Sequence, residues 1–154
     1  MPAFLKFGIP EVAVAAGDLL VIISMFLPWI FGFPPQAGTT PVTQVIAAPN
    51  MLQLAFQSRF WYLSIVPVGV VLGAVEAIIG ASVGRRTRLL MIAATFLMLW
   101  IPIFGFNGDY AIATSLFLNG KLVAFTTTKG TGWAIAILGT FISGGGLLIA
   151  WFIE

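Results

Sequence analysis

A short basic stretch lies between two long apolar runs, and it constrains the fold more than any other feature of the sequence. Arg85, Arg86 and Arg88 are three of the seven basic residues in a chain of 154. Positively charged residues are retained on the cytoplasmic side when a membrane protein is inserted. Residues 84–88 are therefore predicted to form a cytoplasmic turn between two membrane-spanning helices, in which the three arginines mark topology and contact lipid headgroups.

The composition is that of a membrane protein. Hydrophobic residues make up 60% of the chain and charged residues 8%, whereas soluble domains have roughly 45–50% and 25%. A length of 154 residues predicts a single domain, residues 1–154. The net charge is only +2 and is concentrated at the arginines, so it indicates topology rather than a nucleic-acid partner. We expect an integral, multi-pass protein of a prokaryotic cytoplasmic membrane.

Four apolar runs are each long enough to cross a hydrocarbon core of about 30 Å as a helix. The predicted spans are residues 11–33, 60–83, 89–106 and 131–153. They predict an all-α integral membrane protein with four transmembrane helices arranged as two hairpins. Both termini would be cytoplasmic, and residues 34–59 and 107–130 would form the outer loops.

Tryptophans mark the predicted outer ends of these helices. Four of the five tryptophans fall there, namely Trp29, Trp61, Trp100 and Trp133. Because tryptophan is enriched where a helix meets the headgroups, these four side chains are predicted to be outer-interface anchors.

The second outer loop contains a β-hairpin pattern. Residues 116–118 and 121–125 are mostly apolar and flank Asn119-Gly120, a dipeptide that suits a two-residue type I′ turn. A lone hairpin is marginally stable in water, so we expect it to pair with the first outer loop or with another subunit. In the first loop, residues 42–46 could form a strand and residues 49–59 a short amphipathic helix with Pro49 in its first turn.

The ends of the first and third spans have similar sequences. Residues 29–33 and 100–106 both run from Trp to Phe-Gly-Phe. This similarity indicates either an internal repeat of two helical hairpins or the composition shared by any two outer helix ends. Through Leu27-Pro28-Trp29 the chain resembles small bacterial four-span proteins of the SPW-repeat type. It departs from them at Leu27, where that family has Ser, and in its second copy, where Trp100 precedes Pro102. The resemblance implies a four-span architecture and no assigned reaction.

Two acidic residues fall within predicted spans. Asp18 and Glu76 would both lie roughly 10–13 Å from the inner ends of their helices, and Thr95 and Ser143 lie at similar depth in the other two spans. Together they predict one polar layer. It could be a proton or cation site in which Asp18 and Glu76 share one charge. Alternatively, it could be a structural hydrogen bond between helices, or an ion pair with an arginine, Arg85 or Arg86, that reaches inward.

Small residues form a stripe on each of two spans. Glu76 lies within the first stripe, which contains Gly69, Gly73 and Gly80, and the second contains Gly139, Ser143 and Gly146. Such faces allow helices to approach closely, so the two stripes are predicted to meet with Glu76 between them. The run of three glycines at 144–146 could unwind the helix, leave room for a flat ligand, or serve close packing.

The chemistry available to the chain is limited, because the sequence contains no Cys and no His. It therefore has no thiolate nucleophile and no His ligands for zinc or haem, and we predict no metal site and no cofactor. A lipid or pigment held by packing alone stays open. An enzyme of lipid or quinone chemistry ranks last, since no nucleophile–base pair is evident.

Two functional hypotheses follow. The first is a non-catalytic accessory or scaffold subunit of a larger membrane assembly, such as a respiratory or photosynthetic complex. Its partners would be membrane lipids and other integral subunits or further copies of the chain, with no nucleic acid. The alternative is a small oligomeric transporter or channel that conducts protons or cations through Glu76 and Asp18.

Overall fold

The computed structural model describes residues 8–33, 48–56, 58–106, 116–118, 121–123 and 126–152. The helices and strands, in chain order, are α1 (Ile9–Met25), β1 (Ile30–Phe33), α2 (Met51–Ala55), α3 (Ile65–Ile79), α4 (Arg85–Phe104), β2 (Leu116–Leu118), β3 (Lys121–Val123), β4 (Thr126–Lys129) and α5 (Thr131–Phe152). Short 3-10 helices, Ser58–Ser64 and Gly80–Ser82, flank α3.

Three helical segments in the described part of the chain are long and apolar enough to cross a membrane. They are Phe60–Ile79, Arg85–Phe104 and Thr131–Phe152, and they confirm a helical protein compatible with a membrane. The remaining predicted span, the first in the chain, corresponds to α1, which has 17 residues and is not among the three. The count of four spans and the orientation of the chain in the membrane stay predictions.

The bundle has two distinct ends. At one end, which we call inner, Glu11 in the first turn of α1 contacts Arg88 in the first turn of α4, and Gly146 of α5 lies against Pro10. At the other end, which we call outer, β1 pairs antiparallel with β4, with Ile30 opposite Lys129. The start of α1, the start of α4 and the end of α5 therefore lie on one side of the molecule.

The first helix ends eight residues earlier than predicted. It stops at Met25, and the chain continues as the extended strand β1. Pro28 disfavours helical backbone at the residue before it, and Trp29 Nε1 donates to the carbonyl oxygen of Ser24 at 2.9 Å. That hydrogen bond satisfies a carbonyl at the helix end, which has no partner within the helix. The prediction that residues 26–33 continue the first helix is therefore wrong.

This correction also bears on the proposed internal repeat. Residues 30–33 are a strand, whereas Trp100 and Phe104 belong to the last turns of α4. The two similar sequences thus adopt different conformations and do not end their helices in the same way.

The basic stretch is not a turn. Helix α4 begins at Arg85, and Gly84 before it is extended, with φ −62° and ψ 149°. The connection from α3 is made by the short 3-10 helix and by Val83 and Gly84. The three arginines consequently lie within one helical turn and point in different directions, which decides their roles.

The outer segments agree with the predicted hairpin. Strands β2 and β3 pair antiparallel, with Leu118 opposite Lys121, so two residues connect them. The strand predicted at 42–46 lies outside the described residues. The predicted helix at 49–59 is shorter, because Asn50 caps it and Pro49 precedes the cap. Asn50 Oδ1 accepts from the Gln53 backbone N–H at 2.9 Å, and the Gln53 side chain accepts from the Asn50 N–H at 3.0 Å, which is a capping box.

An apolar core fills the outer half of the bundle. Trp29 is 0% exposed and meets Phe106 edge to face, with ring centroids 5.2 Å apart. The core also contains Ile30, Met51, Leu54, Phe60, Leu63, Val66, Leu99 and Ile103. Trp29 is therefore not an interface anchor, contrary to the prediction.

The other three predicted anchors differ in environment. Trp61 is 64% exposed, as an interfacial side chain requires. Trp100 is half-buried and stacks on Phe104 at 3.7 Å. Trp133 Nε1 donates to the Ile103 carbonyl at 2.9 Å, and Lys129 Nζ lies 4.3 Å from its ring centroid. Trp133 thus joins the start of α5 to the end of α4.

The two small-residue stripes pack against other helices than predicted. Within the described helices, α5 packs most extensively on α1, and α3 on α4. A Cβ added at Gly139 of α5 would lie 2.6 Å from the Gly17 carbonyl oxygen of α1, so this contact depends on both glycines. Gly69 of α3 faces Met98 and Leu99 of α4. The small residues do allow close approach of helices. However, the helix that packs against the small face of α5 is α1, through Gly17, and not α3 as predicted.

Candidate functional site

A cluster of polar side chains is buried in the inner half of the bundle. It contains Glu11 and Asp18 from α1, Glu76 from α3, Arg88 and Thr95 from α4, and Ser143 from α5, and we call it the acid cluster. All of these residues except Arg88 are at most 3% exposed. Of the six, the sequence predicted Asp18, Glu76, Thr95 and Ser143 for one layer.

Helical spacing brings these residues together. Glu11 and Asp18 are seven residues apart, which is two turns and about 10 Å along one face of α1. Val14 and Val21 continue that buried face. Arg88 and Thr95 have the same spacing on α4. Two helices therefore each present a pair of polar side chains to the interior.

Asp18 joins three helices. Its Oδ1 accepts from Ser143 Oγ of α5 at 3.5 Å, a long hydrogen bond. Its other oxygen lies directly against Gly73 of α3, where an added Cβ would overlap the carboxyl group. Gly73 thus makes the space in which a charged side chain of α1 reaches α3.

Glu11 and Arg88 form a buried ion pair. Arg88 Nη1 lies 3.2 Å from Glu11 Oε1, and the two side chains are 14% and 1% exposed. We expected Arg88 to contact headgroups together with at least one of its neighbours, and Arg85 or Arg86 was the alternative for an arginine that reaches inward. In the structure the arginine that reaches inward is Arg88. Arg85 and Arg86 are exposed, whereas Arg88 lies on the α4 face that also buries Ile92 and Thr95.

Glu11 was missed in the sequence analysis. It stands at the start of the predicted first span, where an acid at the interface costs little. Two signals could have found it, namely its spacing of seven residues from Asp18 and its place at the same end as the arginines.

Glu76 is a fully buried member of the cluster. It is 0% exposed, and neither carboxylate oxygen has a hydrogen-bond partner among the described residues. A Cβ at Gly80 would lie 2.5 Å from Glu76 Oε1 and 3.5 Å from Arg88 Cδ. The carboxyl therefore rests over Gly80 and beside the Arg88 stem. Glu76 interacts electrostatically with Glu11, Arg88 and Asp18.

The charges of the cluster do not balance. Three carboxyl groups share one guanidinium, so full ionisation would leave two negative charges uncompensated in a buried site. Uncompensated buried charge costs several kcal/mol by the usual estimates. In the described part of the chain no three acidic residues are placed to hold a metal ion. The arrangement can instead hold protons on one or more of its carboxyls.

Nothing polar continues the cluster toward the outer end within the described helices. Above it lie Val21, Met25, Val66 and Leu99, all buried. The two hydroxyls at that level are bonded to their own helices: Ser24 Oγ donates to the Val21 carbonyl at 2.6 Å, and Thr140 Oγ1 to the Ala136 carbonyl at 2.8 Å. The acid cluster is thus closed on its outer side.

The helix with three consecutive glycines is unbroken. Helix α5 runs through residues 144–146 without interruption. Gly144 faces the ring of Phe96 and Gly146 faces α1, and nothing lies near Gly145. Close packing therefore accounts for two of the three glycines, and the unwound segment considered above is absent.

Comparison with known proteins gives no relative. No family model matches the sequence, and no match was found among the curated proteins or the solved structures. The acid cluster is consequently the feature of the molecule that bears on function.

Proposed function

We propose that this protein is a small membrane transporter that takes up and releases protons at the acid cluster. The observation that carries the proposal is Glu76, a fully buried carboxyl beside two further acids and one arginine, neither oxygen of which has a hydrogen-bond partner among the described residues. Acidic residues inside membrane-spanning segments are rare, and they commonly belong to proton relays.

The three carboxyl groups of the acid cluster differ in the partners that stabilise their negative charge. Arg88 compensates Glu11 directly, and Ser143 donates to Asp18, whereas neither oxygen of Glu76 accepts a hydrogen bond from a described residue. A buried carboxyl without a partner is less costly when it holds a proton. Losing that proton would place a second negative charge near Asp18. Such a cluster gains or loses a proton according to the pH on the side of the membrane to which it is open.

The apolar outer half adds a condition to the proposal. Because the cluster is closed on its outer side, release to that side needs a second arrangement of the helices or a path between subunits. Alternation between two such arrangements around a fixed site is the usual logic of secondary transporters.

The test is proton flux in liposomes. The full chain is reconstituted with a pH-sensitive dye inside, and a potassium diffusion potential drives protons across the bilayer. We expect flux above that of empty liposomes and a loss of at least about tenfold in Glu76→Gln, which keeps the shape of the side chain and removes its charge. Thr140→Val is the matched control, since it alters a buried polar group outside the cluster. Undiminished flux in Glu76→Gln would overturn the proposal.

The closed outer half favours a second candidate, a non-catalytic scaffold subunit of a larger membrane assembly. In that case the Glu11–Arg88 ion pair and the Asp18–Ser143 hydrogen bond serve only to hold the helices together. The prediction is that the chain shows no flux and co-purifies from its native membrane with partner chains in fixed stoichiometry. A monodisperse, partner-free chain that conducts protons would exclude this candidate.

A further inference from the structure

The two arginines that the acid cluster does not use flank an open groove at the inner end. The groove is lined by Arg85, Arg86, Leu89, Leu90 and Ala93 of α4 and by Trp151 in the last turn of α5, with a volume of about 580 Å³. Its size falls within the range of small-molecule sites, roughly 300–1,000 Å³. Basic groups stand at one end and apolar side chains form the walls.

The lining follows from helical spacing. Residues 85, 89 and 93 fall on one edge of α4 and residues 86 and 90 on the next. From Arg86 to Ala93 the helix advances about 10 Å. The groove therefore runs from the end of the bundle toward its middle, in the direction that an acyl chain would take beside a membrane helix.

The side chains that line it are available. Arg85 and Arg86 are exposed, Leu90 is 63% exposed and Trp151 is 59% exposed. Arg88, only two positions further along, instead forms an ion pair with Glu11. Two exposed guanidiniums beside an apolar wall complement a molecule with a negatively charged head and a hydrocarbon tail. Arginine forks bind phosphate oxygens in a bidentate manner, and tryptophan favours the membrane interface.

We propose that this groove binds one anionic phospholipid, with its phosphate on Arg85 and Arg86 and an acyl chain along Leu89, Leu90 and Ala93. The site is separate from the acid cluster and does not depend on the function proposed for that cluster. It takes its ligand from the leaflet at the inner end.

The test is lipid titration of the detergent-solubilised full chain, read by native mass spectrometry. Phosphatidylglycerol should bind about 30-fold more tightly than phosphatidylcholine, from the usual contribution of two basic groups at an anionic surface. The double variant Arg85→Gln/Arg86→Gln should lose this preference. Lys129→Gln, which removes an exposed basic residue at the opposite end, should keep it.

A second pair of variants tests the apolar wall. Ala93→Trp fills the groove and should weaken the binding of phosphatidylglycerol, whereas Leu97→Trp, at an exposed position one turn further along α4, should leave it unchanged. Three results would overturn the proposal: equal affinity for the two lipids, a preference that survives the double arginine variant, or displacement of phosphatidylglycerol by an equal concentration of inorganic phosphate.

Discussion

In the outer half of the bundle Trp29 and Phe106 meet edge to face at 5.2 Å, whereas in the inner half Glu11 and Arg88 form an ion pair at 3.2 Å. Both places are almost fully buried. The outer half is filled by large apolar side chains, and the buried hydroxyls of Ser24 and Thr140 bond to their own helices. The inner half contains three carboxyls whose charges do not balance. Shape therefore stabilises the outer half, whereas in the proposed function protonation governs the inner half.

Truncation should therefore have its largest effect in the outer half. Trp29→Ala removes a fully buried indole and its hydrogen bond to Ser24, and we expect the free energy of unfolding to fall by about 3–5 kcal/mol. Trp61→Ala, at a position 64% exposed, should cost about 1 kcal/mol or less. Denaturant titration in detergent micelles measures both. Equal losses would show that Trp29 is not part of the outer core.

Neutralisation of charge should matter most in the inner half. Arg88→Gln leaves Glu11 buried without its counter-charge, and we expect a loss of about 3 kcal/mol or more. The double variant Glu11→Gln/Arg88→Gln removes both charges and should recover much of that loss, because replacing a whole buried pair is often nearly neutral.

The same titration measures this pair of variants, and Arg85→Gln is the control for losing an exposed arginine. If the double variant loses as much free energy of unfolding as its two single variants together, Glu11 and Arg88 are not coupled. Their charges would then not stabilise the inner half as a pair.

Two threonines give the smallest and most discriminating comparison. Thr140 Oγ1 donates to the Ala136 carbonyl, whereas Thr95 Oγ1 has no partner in the described part of the bundle. Thr140→Val should lose about 0.5–1.5 kcal/mol, and Thr95→Val should be neutral or slightly stabilising. A loss at Thr95 as large as that at Thr140 would show that the hydroxyl of Thr95 is bound within the acid cluster.

Features that depend on local pattern could be predicted from the sequence. The last helix, Thr131–Phe152, agrees with the predicted span at every described residue, and the hairpin around 119–120 follows from its turn residues. The shared level of Asp18 and Glu76 follows from depth along each helix, and the burial of Glu76 follows from its place in a small-residue stripe. In each case a single segment carries the information.

The features that were predicted wrongly depend on the choice of partner. Small residues occur on α1, α3 and α5 alike, so the sequence shows which face packs closely but not which helix it meets. Ile30 pairs with Lys129 across almost a hundred residues, and no local signal marks that pairing. Arg88 differs from Arg85 and Arg86 only in helical phase, which cannot be assigned while the stretch is read as a turn.

The central claim is that the acid cluster holds a titratable proton, and infrared difference spectroscopy between acidic and neutral pH tests it most directly. A protonated carboxyl buried away from water gives a C=O stretching band distinct from that of a carboxylate. The account predicts such a band in the reconstituted wild-type protein, its loss in Glu76→Gln and its retention in Thr140→Val. A wild-type spectrum without a protonated buried carboxyl, or one unchanged by Glu76→Gln, would contradict the account.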